Sequence, residues 1–284
     1  MLNAFSAEAL KLRRHRATWF LVWIFPIGAL ILYSVAIIVQ LSRGLPPSPV
    51  APELESWLAS AANFWGLPRS GFGRIIVTAY VGIVFAGEYA WNTWKLIVPH
   101  RSRPSLIAAK FAVSLLLLYA AFIAAALLVN LLGWLNDMAR GNPLPEGITP
   151  GAIAMAHLQG LAASLPGVLL SAAIAALAAI LTRTTAAAIV IGIIVITLEQ
   201  LFTAFAPALS LYLPGAVEAL FNALPGYHLG NLTGWILDGS GRVVPFPNGA
   251  TIGWGWQGSL AVVGAWITGL TALSFWRFGR QDIN

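Results

Sequence analysis

Arg74 and Glu199 each stand inside a stretch that is otherwise apolar, and a bilayer tolerates such charges only when they are paired, wetted or able to snorkel to the headgroups. Counted inward from the outer ends of their helices at 1.5 Å per residue, each lies about 10 Å deep, so the two can meet. Glu199 is expected to face the protein interior, either bridged to Arg74 or lining an outer-half polar chamber with His157, Gln159 and Gln200. The alternative leaves Arg74 snorkelling outward and Glu199 protonated and hydrogen-bonded within the bundle. With Glu199 as a working acid, the chain would be a secondary transporter driven by protons or ions, or a membrane-embedded enzyme.

Other chemistry finds little footing. His15, His100, His157 and His228 fall in separate segments without ligand spacing, so no metal site is expected. The absence of cysteine excludes disulfides, haem attachment and thiolate metal sites. No Ser-His-Asp set or carboxylate pair can be defended. None of the three lysines, Lys11, Lys95 and Lys110, lies in a Gly-x-x-x-x-Gly-Lys-Ser/Thr phosphate loop, so the chain is expected neither to hydrolyse ATP nor to hold a cofactor of its own.

A second polar stretch, FAGEYAWNTWKLIVPHRSRPSLIAAK from Phe85 to Lys110, is aromatic and basic. Read as a helix from Glu88, it puts Glu88, Asn92 and Lys95 on one face and Trp91, Trp94 and Val98 on another, the pattern of a helix lying along an interface. Pro99 ends it. Arg101 and Arg103 follow, and Ser102 is placed to cap a new helix whose first turn holds Pro104. Such a surface suits contact with another protein, or with anionic lipid.

The elements that carry these residues follow from composition. With 58% hydrophobic residues, 9% charged residues and 12 Trp, the chain is an all-α integral membrane protein. Runs of roughly 20 apolar residues span about 30 Å of hydrocarbon as helix, and the short alternating strands of a barrel are missing. One transmembrane domain over residues 1–284 is expected, with six spans at 19–41, 68–87, 104–134, 150–181, 186–206 and 258–278. Phe5, Ala9, Leu12 and Arg16 share a face in residues 1–18, which read as an interfacial helix. Residues 42–67, with Pro46, Pro47, Pro49 and Pro52, form an outer loop with a short surface helix, and 135–149 form a second. Thr149 and Pro150 open the fourth span, which should bend near Pro166 and Gly167. Residues 207–257 are broken by five prolines yet partly apolar, as outer re-entrant helices would be. There Gly226, Gly230 and Gly234 recur every four residues, as in close helix packing or a glycine-rich loop.

Charge orients the whole. With both termini cytoplasmic, eleven of the 16 basic residues fall inside and five outside, among them Arg43, Arg69, Arg140 and Arg242. The net charge of +6 thus reports orientation, and no nucleic-acid partner is expected.

Over nearly its whole length the chain resembles the membrane-spanning (permease) subunits of ABC-2 type exporters. The resemblance lies in the amphipathic basic start (Glu8, Lys11, Arg13), the six spans, the apolar segment between the fifth and sixth, and the segment after the second. There the family shows an acid, a Gly-Thr step, a Pro followed by a basic residue, and a Lys opening the next span. Glu88, Thr93, Pro99, Arg101 or Arg103, and Lys110 match these. Asn92 stands where Gly is usual, and His100 follows the proline. The resemblance implies a permease that dimerises in the plasma membrane and exports a lipid, peptide, antibiotic or other amphiphile. ATP and Mg would be bound and hydrolysed on a separate nucleotide-binding subunit. It also implies that 88–103 is the coupling helix meeting that ATPase, through Glu88, Trp91, Asn92, Trp94, Lys95, Arg101 and Arg103.

Overall fold

The computed structural model describes residues 2–44, 46–48 and 50–282; Pro49, counted above in the outer loop, lies outside them. In chain order the helices are α1 (Leu2–Arg14), α2 (Arg16–Leu21), α3 (Ile24–Ser42), α4 (Leu54–Ala61), α5 (Gly66–Arg69), α6 (Gly71–Ala90), α7 (Trp94–Ile97), α8 (Arg103–Arg140), α9 (Pro150–Thr182), α10 (Thr185–Leu209), α11 (Pro214–Ala223), α12 (Pro225–Leu237) and α13 (Trp256–Gly279). One antiparallel hairpin, β1 (Val243–Pro245) with β2 (Thr251–Gly253), sits between α12 and α13. Among the described residues, six stretches are long and apolar enough to cross a membrane: Arg16–Ser42, α6, α8, α9, α10 and α13.

Three boundaries differ from the sequence reading: α10 runs on through Pro207 to Leu209, three residues into the segment read as re-entrant, and two others shift for local reasons. The second membrane helix begins at Gly71 rather than at residue 68. Ser70 caps it, accepting from the Gly73 N–H at 3.1 Å while donating to the Leu67 carbonyl at 2.7 Å, and 66–69 become the separate turn α5. The third runs on to Arg140, six residues into the expected loop, and stops where Gly141 takes φ 67°. At 38 residues, α8 is about 57 Å long and exceeds the hydrocarbon thickness. Its last turn is used: Asp137 accepts from the Trp57 indole at 3.4 Å and from Asn142 at 3.0 Å, tying α4 to the loop after α8. Thr149 caps α9 as read, accepting from Ala152 N–H at 3.1 Å. Ser102 occupies the cap position of α8 without a side-chain bond.

The core forms around α9, with 72% of its apolar window buried against 17% for α13. The cause is residue size: Ala172, Ala173, Ala175, Ala176 and Ala179 let α6, α10 and α13 approach closely. Its buried hydroxyls cost little, because Ser164 donates to the Leu161 carbonyl and Ser171 to that of Gly167 within the same helix. On α10, Gly192 leaves the space that the Thr78 methyl of α6 fills, which draws those two helices together. α3 packs along α8, and α1 lies on the N-terminal part of α8 with Leu12 buried. Between α10 and α13, α11, α12 and the hairpin enclose a second small core of Phe221, Tyr227, Phe246 and Ile252.

Candidate functional site

The close approach of α6, α9 and α10 brings Arg74 and Glu199 together. Arg74 Nη1 and Nη2 donate to Glu199 Oε1 and Oε2 at 2.7 and 2.8 Å, and Arg74 Nε donates to Ser171 Oγ at 3.1 Å. The fork is bidentate, and the side chains are only 5% and 8% exposed. Gly167 lies against the arginine stem, where a Cβ would make ordinary van der Waals contact with Arg74 Cδ at 3.5 Å.

The pair lines a cavity of about 660 Å³ bounded by α5, α6, α9, α10, α12 and the hairpin. Gln200 lines it too, packed against the bare backbone of Gly71. His157 and Gln159 do not. His157 accepts from the Trp65 indole at 3.2 Å, and Gln159 is exposed on α9. The chamber expected to hold all four polar residues therefore keeps Glu199 and Gln200 only. In place of the other two it gains Arg69 and Arg242, which sequence reasoning counted only among the outer basic residues, one in the second span and one in the re-entrant segment.

At the opposite end of α6 lies a second charged cluster. Lys110 Nζ donates to Glu88 Oε1 at 2.8 Å, Glu8 Oε1 at 2.9 Å and the Val84 carbonyl at 3.2 Å, so all three of its protons are placed. Lys11 also pairs with Glu88, and Thr93 Oγ1 donates to its second oxygen. Glu88 and Lys110 are each 2% exposed. Trp94 closes the cluster, 4.5 Å from the Phe278 ring and beneath the Lys110 ammonium at 5.3 Å. Next to it, Arg103 Nη1 donates to the carbonyls of Phe278, Gly279 and Gln281 at 3.2, 2.8 and 2.7 Å. Gln281 accepts from the Tyr89 hydroxyl at 2.6 Å and donates to the Ile180 carbonyl at 2.7 Å. His15, between α1 and α2, accepts from Ala17 N–H through Nδ1 at 3.1 Å. Burial, with Lys11 and Lys110 nearby, lowers its pKa, which keeps the accepting form.

Of the seven residues grouped as a partner contact, Glu88, Trp94 and Arg103 are therefore engaged within this chain. Trp91, Asn92, Lys95 and Arg101 remain exposed, Trp91 at 80% and the neighbouring Leu96 at 72%. The single helix read from Glu88 is in fact two, because Asn92 adopts φ 53°. The Thr93 N–H bonds the Glu88 carbonyl at 3.0 Å and the Asn92 N–H that of Tyr89 at 3.2 Å, which together make a Schellman ending with asparagine in the left-handed position. Asparagine after glycine is the residue that best accepts this conformation. Asn92→Gly should thus leave thermal stability within a few tenths of a kcal/mol of the parent, and Asn92→Val should cost about 1–2 kcal/mol. Equal melting of the two variants would show that the left-handed turn is unimportant.

Among the described residues no group of three or more His, Cys, Asp or Glu could hold a metal ion. In comparisons with known proteins, a family model described as "ABC-2 family transporter protein" matches residues 4–200. No curated protein and no solved structure matches the chain.

Proposed function

Since the chain belongs to the ABC-2 family of transporter membrane proteins, we propose that it is the permease subunit of an ATP-driven exporter of amphiphilic molecules. Two copies would enclose the path in the plasma membrane, and ATP with Mg would be used on a separate subunit. In this reading both termini are cytoplasmic and 207–257 re-enters the membrane from outside without crossing it, as the basic-residue bias and the broken helices suggest.

The observation that carries the proposal is the projection formed by Trp91, Lys95, Leu96 and Arg101, exposed at its tip and tied down at its base. An aromatic and aliphatic tip flanked by cations suits a groove with acidic rims on the ATPase subunit. The base is joined to α1, α8 and α13 through the Glu88 cluster and the Arg103 carbonyl clamp. In this reading a push on the tip would be passed through that base to α6. Glu88 and Arg74 share that helix, fourteen residues apart, which places the outer ion pair about 21 Å along the same rod. The ion-coupled alternative is less well supported, because both oxygens of Glu199 are held by Arg74 and a proton carrier must give up that partner.

Trp91→Ala combined with Arg101→Glu tests the docking. The variant should fold and reach the membrane normally, yet retain the ATPase subunit at least tenfold less in detergent copurification and lose stimulation of ATP hydrolysis. A variant complex that assembles and transports like the parent would overturn the assignment.

A further inference from the structure

The charges lining the outer cavity do not balance. Arg74 is neutralised by Glu199 and has its remaining N–H on Ser171. That leaves Arg69 and Arg242, neither of which has an ion-pair partner among the described residues. Arg69 Nη1 is enclosed with no hydrogen-bond acceptor in reach, a costly condition for a cationic donor. The two guanidinium groups act on one another across the cavity, and at Arg69 the exposed Asp238 more than offsets the repulsion from Arg242.

Arg242 is seated deliberately. It comes from the loop before β1, and its backbone is pinned by Asn231 Oδ1 at 2.6 Å and by Tyr227, whose hydroxyl donates to the Arg242 carbonyl at 2.7 Å. Its side chain then lies across Gly230 and Gly234 of α12. A Cβ on Gly230 would stand 3.0 Å from Nη1, and one on Gly234 would stand 3.8 Å from Cγ. The four-residue glycine repeat thus has two uses. Gly226 admits Thr203 and Glu199 of α10, while Gly230 and Gly234 leave room for the loop that carries Arg242, its guanidinium passing over Gly230 and the Ser240 carbonyl over Gly234, 2.7 Å from where a Cβ would stand.

Further walls are apolar or weakly polar: Phe221, Leu229, Val244, Ala163 and Thr203. A space of about 660 Å³ with two unpaired planar cations and an apolar lining has the dimensions of a small-molecule site. Guanidinium forks match the oxygens of phosphate, and here one fork is half-buried, at Arg69, and the other exposed, at Arg242. We propose that Arg69 and Arg242 bind a phosphate-type oxyanion in this outer cavity, either carried on the headgroup of an amphiphile or free in the outer solution. As a statement about the transported molecule this rests on the permease reading; as a binding site it does not need it.

The test uses the full chain in neutral detergent, together with any ATPase subunit that accompanies it. Dioctanoyl phosphatidylglycerol, dioctanoyl phosphatidylcholine and inorganic phosphate are titrated separately by calorimetry. Phosphatidylglycerol should bind at least tenfold more tightly than phosphatidylcholine, and Arg69→Gln and Arg242→Gln should each remove at least tenfold of that affinity. Gly230→Leu keeps every charge but displaces Arg242, and should do the same if an arginine variant folds poorly. Inorganic phosphate that binds as tightly, with the same sensitivity to the variants, supports the site and assigns it to a free anion. Equal binding of all three ligands, or binding indifferent to all three substitutions, overturns the proposal. Because the binding variants should still copurify the ATPase, failure here is distinguishable from failure of the permease reading.

Discussion

Reversing Glu199 alone, as Glu199→Arg, should abolish transport and leave little folded protein in the membrane. The change sets two cations against each other where Arg74 is 5% exposed, and even the loss of one partner from a buried pair costs about 3–5 kcal/mol. Arg74→Glu should be comparably damaging. The double exchange should restore only part of the loss, because Ser171 now accepts from Arg74 Nε, an arrangement the exchange does not rebuild. A more informative variant is Arg74→Met with Glu199→Leu. Replacing both charges with apolar groups of similar size is often neutral for stability, so this protein should be extracted folded and in normal amount. If the pair serves transport, the folded double variant will be inactive; normal transport by it would reduce the pair to a packing device.

The second large effect is expected at the C-terminal end of α6. Glu88→Ala removes the carboxylate that meets both Lys11 and Lys110. Lys110 would keep only Glu8 and the Val84 carbonyl while remaining buried. A loss of about 3–5 kcal/mol is expected, read as a lower melting temperature of the detergent-purified chain. Glu88→Gln keeps the shape and one acceptor but not the charge, and should fall between parent and alanine variant. Lys11→Ala is the control. Its side chain is 42% exposed, and such half-solvated pairs contribute no more than about 1 kcal/mol. If Lys11→Ala melted as low as Glu88→Ala, the weight given to Lys110 would be misplaced.

These two sites were legible in the sequence to different degrees. The Arg74 and Glu199 pairing could be read because both sit in helices with recognisable outer ends, so depth is a matter of counting. Which neighbours share the cavity could not be read, since that depends on how each helix is rotated. His157 and Gln159 have the right depth but turn to Trp65 and to the exterior. Arg242 was invisible for another reason. It lies in a segment without helical periodicity, and its only trace was the glycine repeat, whose spacing speaks of close approach without naming what approaches. At the inner corner, periodicity itself misled. A helix continued through Asn92 keeps Trp94 on the Trp91 side, whereas the left-handed turn rotates Trp94 inward to Phe278 and leaves Trp91 in the open. The aromatic and basic character of the segment was plain; the division between its base and its tip was not.

The clamp formed by Arg103 on the carbonyls of Phe278, Gly279 and Gln281 bears on how the protein is made. Those acceptors leave the ribosome some 175 residues after Arg103, and Gln281 must also reach Tyr89 and Ile180. Until α13 is inserted, Arg103 has no carbonyls to hold and Trp94 lacks the Phe278 ring against which it packs. The inner corner is thus finished last, although its other parts are synthesised early. The base beneath Trp91 therefore takes its final form only once the last long helix of the chain is in place.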